Sequence, residues 1–208
     1  LFYKKIMKNL LFIDTSYTFK QIEERDSLNI IYSRDLNKFF DKVISVHPTA
    51  NLTDKSLYKI KSYYKKYIID DRHTFIEFKS LNLEFLFFIK YISFLYFQLR
   101  MIFKLIKIIK NEKITEIKCG DINYAGLIGI ILSKLTGIKY YVRVGSNNDK
   151  IRNEIQKPIQ KKLFKLTKIE KFFEKIILRN ASHIFPANKD NAIFVSKYIN
   201  NNKKITVI

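Results

Sequence analysis

The stretch ITEIKCGDINYAGLIGIILSKLTGIKYYVRVGSNND, Ile114 to Asp149, carries the alternation that decides the fold. Ile114–Lys118 is a short run with strand character, and Cys119-Gly120-Asp121-Ile122-Asn123 is its polar exit. Tyr124–Leu135 is long and apolar enough for a helix, and Thr136-Gly137 supplies the glycine that closes one. Gly126 and Gly129 lie three apart on that helix and permit close approach to a sheet. Ile138–Val144 is the next strand, opening into Gly145-Ser146-Asn147-Asn148-Asp149. Strand, helix and strand in this order imply a right-handed crossover and parallel pairing.

Toward the carboxyl end the alternation continues. Pro158–Arg179 reads as a charged amphipathic helix with an apolar stripe through Leu163, Leu166, Ile169, Phe173 and Ile176. Glu170 and Glu174 on it are expected to pair with lysine neighbours in a solvated face. His183–Phe185 is a short strand, Asn188 caps a helix over Lys189–Tyr198, and Lys204–Ile208 is a last strand. Toward the amino end, Leu10–Ile13 is a buried-strand candidate followed by Asp14-Thr15-Ser16. A helix is expected within 23–40, a strand at Val43–Val46 before His47-Pro48, and a weaker strand at Thr74–Phe78. Leu83–Lys110 is the longest periodic element. Its polar residues Lys90, Ser93, Arg100, Lys104 and Lys107 recur on one helical face. Its longest uncharged run, Tyr91–Leu99, falls short of the roughly 18–20 residues of a membrane span.

The fold class is therefore α/β, a Rossmann-like, mainly parallel sheet with helices on both faces. Ligands of such sheets bind beyond the carboxyl ends of the strands, which selects the loops 14–18, 119–123, 145–149 and 186–189. Thr15 and Ser16 can offer hydroxyls and amides to an anion at a helix start. Asp121 is a candidate base for deprotonating a hydroxyl, with Asn123 to hold it. Arg143, near the end of a buried strand, needs an anionic partner, and Gly145 and Ser146 would present backbone N–H groups. Asn188 and Lys189 offer a helix terminus and an ammonium.

Composition narrows the class. Lys and Arg number 39 against 19 Asp and Glu, a formal charge of +20, so the partners to expect are polyanions. The same richness in Ile, Lys, Asn and Phe also follows from an AT-rich genome. Cys119 is the single cysteine, which excludes a disulfide framework and a cysteine-rich zinc site. His47, His73 and His183 are scattered, and no metal is expected. The sequence contains neither GxGxxG nor GxxxxGK[ST], which disfavours a dinucleotide-binding domain and a P-loop NTPase, and it has no GxSxG elbow. The Lys/Tyr-rich run 58–67 has no nucleic-acid module beside it, so nucleic acid is not an expected partner. Lys4, Lys5 and Lys8 precede an apolar run too short for a signal peptide.

The last ninety residues resemble the amino-terminal domain of GT-B glycosyltransferases of the family 4 type. The residues that carry the resemblance are the strand and exit at 114–123, Leu135-Thr136-Gly137-Ile138-Lys139, Arg143-Val144-Gly145-Ser146, a long helix with Glu170, Arg179-Asn180-Ala181-Ser182-His183-Ile184-Phe185, and Lys203–Ile208. Ala181-Ser182 stands where that family commonly has Ala-Asp. Asp121 and Asn123 stand where it often has a histidine, and Asp14–Thr18 lacks its glycine-rich loop. The resemblance implies an amino-terminal acceptor-side domain over 7–208, with the donor-binding carboxyl-terminal domain outside this chain. It implies hexosyl transfer from a nucleotide sugar, as co-substrate, to a glycan or lipid-linked acceptor, without a metal. It further implies polysaccharide synthesis for the cell envelope, in the cytoplasm at the inner face of an anionic membrane, with this fragment inactive alone. The alternatives are a non-catalytic acceptor-binding or membrane-associating subunit of a two-chain transferase, and a nucleotide-sugar epimerase.

Overall fold

The structure, a computed structural model, describes residues 7–80, 87–159, 166–199 and 204–207. The fold is α/β and Rossmann-like, with a mostly parallel seven-stranded sheet and helices among the described residues. The chain forms two compact units, the first ending at Ile117 and the second beginning at Lys118.

In the first unit, β1 (Asn9–Ile13) is buried along its whole length, as an unbroken apolar run in a parallel sheet should be. Helices α1 (Phe19–Glu24) and α2 (Asn29–Tyr32) follow. Next come β2 (Lys42–His47), β3 (Tyr64–Ile68), β4 (His73–Phe78) and the helix α3 (Phe87–Asn111). The order is β3-β4-β2-β1. Leu10 pairs with Val43, and Val43 with His73, both in parallel register. β3 runs antiparallel to β4, Tyr64 opposite Phe78, and presents Lys65 and Lys66 to solvent. Charge on such a strand discourages pairing with a further chain. The sequence signals β3 only as a basic, aromatic tract.

The helix expected within 23–40 is broken. Leu36, Asn37 and Lys38 have φ of 51°, 56° and 68°, after a short 3-10 turn at Ser33–Asp35. Ion pairs are the cause: Arg34 turns inward to Asp14 at 2.9 Å, Asp35 to Arg72 at 3.2 Å, and Asp35 also accepts the Lys38 amide at 3.0 Å. The helix expected from Leu83 is present as α3, its first four residues lying outside the described ones, as does the side chain of Lys90.

In the second unit, β5 (Glu116–Cys119) crosses the boundary and is followed by α4 (Tyr124–Thr136), β6 (Tyr140–Val144), α5 (Asn148–Ile155), α6 (Thr167–Asn180), β7 (His183–Pro186) and α7 (Lys189–Ser196). β6 and β7 are parallel, Tyr141 beside His183. Gly137 closes α4 in the left-handed conformation, φ 75°, as its position predicts. The close approach expected of the helix glycines is also present. A Cβ on Gly126 would lie 2.8 Å from Ile177 Cγ2, and one on Gly129 would overlap the buried Cys119 Sγ. Gly129→Ala is therefore expected to destabilise the protein by about 1–3 kcal/mol through overpacking. Chemical denaturation measures it, and a loss below about 0.5 kcal/mol would mean that α4 can lift off Cys119 freely.

Several expectations for this unit are corrected. Residues 148–155 form a helix that takes in the end of the expected loop 145–149, and the next helix starts at Thr167 rather than Pro158. The expected apolar stripe of α6 faces outward at Leu166 and Ile169, and Leu163 lies outside the described residues. Glu170 and Glu174 are buried at 0% and 1% exposure, against the solvated face expected for them. The cause is an arginine 18 and 22 residues upstream, described below. At the carboxyl end, the described residues 204–207 of the expected strand make one parallel bridge, between Ile205 and Ile184, and Ile208 lies outside the described residues.

Candidate functional site

In the first unit the strand exits are already tied to one another. Asp14, leaving β1, donates its amide to Val46 O at 2.9 Å. Its Oδ1 accepts the Ser16 amide and hydroxyl at 3.1 and 2.7 Å, and its Oδ2 accepts Arg34 Nη2 at 2.9 Å. Ser16 is exposed and Thr15 half-buried. Neither sits on open helix amides, because Thr18 and Gln21 form a reciprocal cap on α1 and Glu77 Oε1 accepts the Phe19 amide at 2.7 Å. Glu77 Oε2 accepts the Tyr67 hydroxyl at 2.9 Å. Burial raises the Glu77 carboxyl above its ordinary value, against the opposing pull of those two donors.

His47 closes β2 at 2% exposure. Its Nδ1 accepts the Thr49 amide at 3.3 Å, which assigns the proton to Nε2. Burial lowers its pKa to about 4, against the nearby Asp14 carboxylate, so the ring is neutral at pH 7. The strand-exit rule applied to β2 would have found His47. Nothing local in the sequence marks Arg34, Glu77 or Tyr67.

The second unit assembles more of the expected residues. Asp121 Oδ1 accepts the amides of Asn123 (2.7 Å) and Ala125 (3.3 Å), which places it as a cap on α4. Asn123 Oδ1 accepts Asn148 Nδ2 at 3.4 Å, and Ser146 Oγ donates to Asn148 Oδ1 at 3.0 Å. Asn148, absent from the expected set, thus links the exits of β5 and β6. Asn147 caps α5 and donates through Nδ2 to Asp190 Oδ2 at 3.2 Å, while Lys150 Nζ meets Asp190 Oδ1 at 2.8 Å. These contacts join the β6 exit to the start of α7. There Asn188 accepts the Asn191 amide at 2.9 Å, and Asn191 Nδ2 donates to Val144 O at 3.1 Å. Asn188 and Lys189 are exposed at that terminus.

Arg143 differs from expectation. Strand alternation sends Val142 and Val144 inward and leaves Arg143 exposed, so burial does not oblige it to find an anion. Gly145 is also exposed, and a Cβ there would meet nothing within 4 Å. The space beside it is open, and no described residue crowds the backbone there.

Behind this rim lies the charged group that holds it. Arg152 Nη1 and Nη2 reach Glu174 Oε1 and Oε2, both at 2.8 Å; Nη1 also reaches Glu170 at 3.2 Å and Nη2 reaches Asp149 at 3.1 Å. Glu174 Oε1 also accepts Asn148 Nδ2 at 2.5 Å. Burial works to lower the Arg152 pKa, but the hydrogen bonds and charges of Glu174, Asp149 and Glu170 raise it overall. No cluster of three or more His, Cys, Asp or Glu suited to a metal occurs among the described residues. No described helix is long and apolar enough to cross a membrane.

No protein-family model matches the chain, and no curated protein matches it. Solved structures do. The crystal structure of Anabaena Alr3699/HepE in complex with UDP matches with a TM-score of 0.56 at 10% identity, over 97% of this chain and 43% of that one. The structure of Acinetobacter baumannii MurG matches with a TM-score of 0.52 at 12% identity, over 96% and 45%. UDP-GlcNAc 2-epimerase from Methanocaldococcus jannaschii matches with 0.51 at 13%, over 97% and 45%. The chain spans less than half the length of each. At such identities the likeness is one of fold, the Rossmann-like α/β fold of GT-B proteins.

Proposed function

We propose that this chain is the amino-terminal, acceptor-side domain, over 7–208, of a GT-B glycosyltransferase of the family 4 type. A carboxyl-terminal domain binds most of the nucleotide sugar, and a hexosyl group passes to a glycan or lipid-linked acceptor of the cell envelope, at the inner face of the membrane. The observation that carries the reading is the rim of the second unit. The exits of β5, β6 and β7 are stitched through Asn123–Asn148–Ser146 and Asn147–Asp190, beside open space at Gly145. Strand exits of this kind are where such sheets bind ligands. The solved structures that share the fold support the reading, one of them having been determined with UDP.

In the transfer, the acceptor hydroxyl attacks the anomeric carbon and loses its proton to a base. The bond from that carbon to the phosphate oxygen breaks, and the nucleoside diphosphate leaves. On this reading Asn123 and Ser146 hold acceptor hydroxyls, Arg143 and Lys189 face anionic groups, and Gly145 lets backbone amides approach. Thr15 and Ser16 offer hydroxyls at the first unit's own strand exit. Asp121 is the carboxylate of the rim. Its Oδ1 accepts the amides of Asn123 and Ala125.

Asp121→Asn separates the two roles, because an asparagine carbonyl still accepts from both amides. With Asp121 as base, the full-length enzyme is expected to lose about a hundredfold or more in kcat at unchanged thermal stability. Turnover within a few-fold of the parent would leave Asp121 a helix cap only. A second reading, nucleotide-sugar epimerisation, is favoured by the likeness to the Methanocaldococcus jannaschii enzyme. Release of nucleoside diphosphate that depends on added acceptor supports transfer. A change of sugar configuration without acceptor supports epimerisation.

A further inference from the structure

Asn148 opens α5 at 3% exposure, and its side-chain amide meets Glu174, Ser146 and Asn123. The chemistry of those partners decides which atom of the amide lies where. Glu174 is paired through both oxygens to Arg152, at 2.8 Å each. A carboxylate so paired has lone pairs and no proton, so the atom of Asn148 at 2.5 Å from Glu174 Oε1 has to be the NH2 group. The opposite orientation would set the Asn148 oxygen against that carboxylate, two hydrogen-bond acceptors facing each other away from water.

The orientation passes outward to the rim. An amide oxygen only accepts, so the Ser146 hydroxyl spends its one proton on Asn148 Oδ1 at 3.0 Å. The other proton of Asn148 Nδ2 goes to Asn123 Oδ1 at 3.4 Å. Asn123 thus uses its oxygen on Asn148 and keeps its NH2 group for a ligand, while Ser146 keeps only lone pairs. Both residues are half-buried, so each remains within reach from solvent. The exits of β5 and β6 therefore show unlike chemistry, a hydrogen-bond donor at Asn123 beside a hydrogen-bond acceptor at Ser146.

We propose that Asn148, oriented by Glu174, is a positioning residue that sets this rim to read two neighbouring hydroxyls of one sugar ring. One hydroxyl accepts from Asn123 Nδ2, and its neighbour donates to Ser146 Oγ. A hydroxyl does either, so a diol satisfies both partners. A phosphate dianion or a carboxylate has lone pairs only and would leave Ser146 facing a second acceptor. Asn123 and Ser146 each lie one hydrogen bond from the same amide, a separation that adjacent ring hydroxyls span. The polarity of the rim follows from these contacts alone; only the identification of the ligand as a sugar rests on the acceptor-side reading above.

The test is NMR on the full chain, in two parts. Without ligand, the side-chain NH2 of Asn148 is expected to exchange with deuterium about tenfold or more slowly than that of Asn123. Equal rates, or the reverse order, overturn the wiring. In the second part the probes are methyl α-D-glucopyranoside and methyl α-D-mannopyranoside, their monodeoxyfluoro analogues, and inorganic phosphate. At least one glycoside is expected to shift the Asn123 and Ser146 signals, and phosphate to leave them in place. Fluorine accepts a hydrogen bond weakly and cannot donate one. Of two adjacent ring positions, one is therefore expected to tolerate fluorine and the other to lose about tenfold in affinity. Asn148→Leu is expected to abolish that asymmetry, and Ser146→Ala to make the fluorine-sensitive position indifferent. Should Asn148→Leu fail to fold, Ser146→Ala decides alone. A shift with phosphate, no shift with either glycoside, or an asymmetry that survives Ser146→Ala overturns the proposal. Neither part uses a nucleotide sugar, so its failure is distinguishable from failure of transfer, which is read from acceptor-dependent release of nucleoside diphosphate.

Discussion

Arg152→Met is expected to destabilise the second unit by about 3–5 kcal/mol, the cost of stranding buried charges by removing their partner. Arg152 is 4% exposed, and it faces Glu170 and Glu174 at 0% and 1%. Its guanidinium meets Glu174 with two parallel bonds and touches Glu170 and Asp149 as well. Methionine fills much of the same volume, so little of the loss comes from a cavity. The loss comes from carboxylates deprived of their cation, although Glu174 retains Asn148 and Glu170 retains the Ile159 amide at 3.1 Å. Removing the cation from a buried carboxylate raises the pKa of that group, so it takes up a proton in the folded state before it does in the unfolded one. Stability lost at neutral pH should therefore partly return as pH falls through that raised value. A packing defect would show no such return. Equal deficits for Arg152→Met at neutral and mildly acidic pH would sink the electrostatic account. The triple change Arg152→Met, Glu170→Leu and Glu174→Leu is expected to recover most of the stability, since replacing a whole buried ionic group is often neutral. It would still release Asn148 from Glu174, and with it the tie between the exits of β5 and β6. Recovered stability with weakened ligand binding would identify this group as what positions the rim.

These glutamates also show where sequence stops being informative. Local signals carried well where the physics is local. The apolar run at β1, the glycine that ends α4, the pair Gly126 and Gly129, and the Asn188 cap all act within a few residues, and each is where its chemistry predicts. The strand-exit rule likewise placed Asn123, Ser146 and Asn188 in loops that the structure stitches together or caps. Glu170 and Glu174 sit four apart among lysines, the pattern of a solvated ion-paired face. Their burial is decided by Arg152, on another helix, and no spacing rule announces that partner. The same reasoning explains the broken helix within 23–40. Arg34 and Asp35 leave a helical path for Asp14 and Arg72, and the left-handed turn after them contains Leu36, Asn37 and Lys38 rather than glycine. The expected burial of Arg143 fails for a simpler reason. The strand is buried on the face of Val142 and Val144, and sequence alone did not say on which face the arginine lay.

His47→Gln is expected to flatten the acid side of the stability profile. In the folded chain burial holds the imidazole pKa at about 4, while the unfolded chain titrates near the ordinary 6.5. Between those values the unfolded state binds the extra proton and the folded state does not. The stability that neutral His47 allows is thus fully present above about 6.5 and is lost as pH falls toward 4. A difference of about 2.5 units corresponds to about 3 kcal/mol, at 1.36 kcal/mol per unit. Two charged groups face the ring: Asp14 acts to raise its pKa and Arg34 to lower it. The Asp14–Arg34 ion pair at 2.9 Å largely offsets them, and burial decides the direction. Glu77 works the other way, since its raised carboxyl favours the folded state as pH falls. That contribution is common to parent and variant and cancels in their difference. Glutamine is neutral and polar with a similar reach, so the substitution removes the titration without adding a charge. Urea unfolding from neutral pH to about 4 should show the parent losing about 3 kcal/mol more than His47→Gln over that range. Parallel profiles would mean that the imidazole protonates in place, with Asp14 close enough to hold the charge.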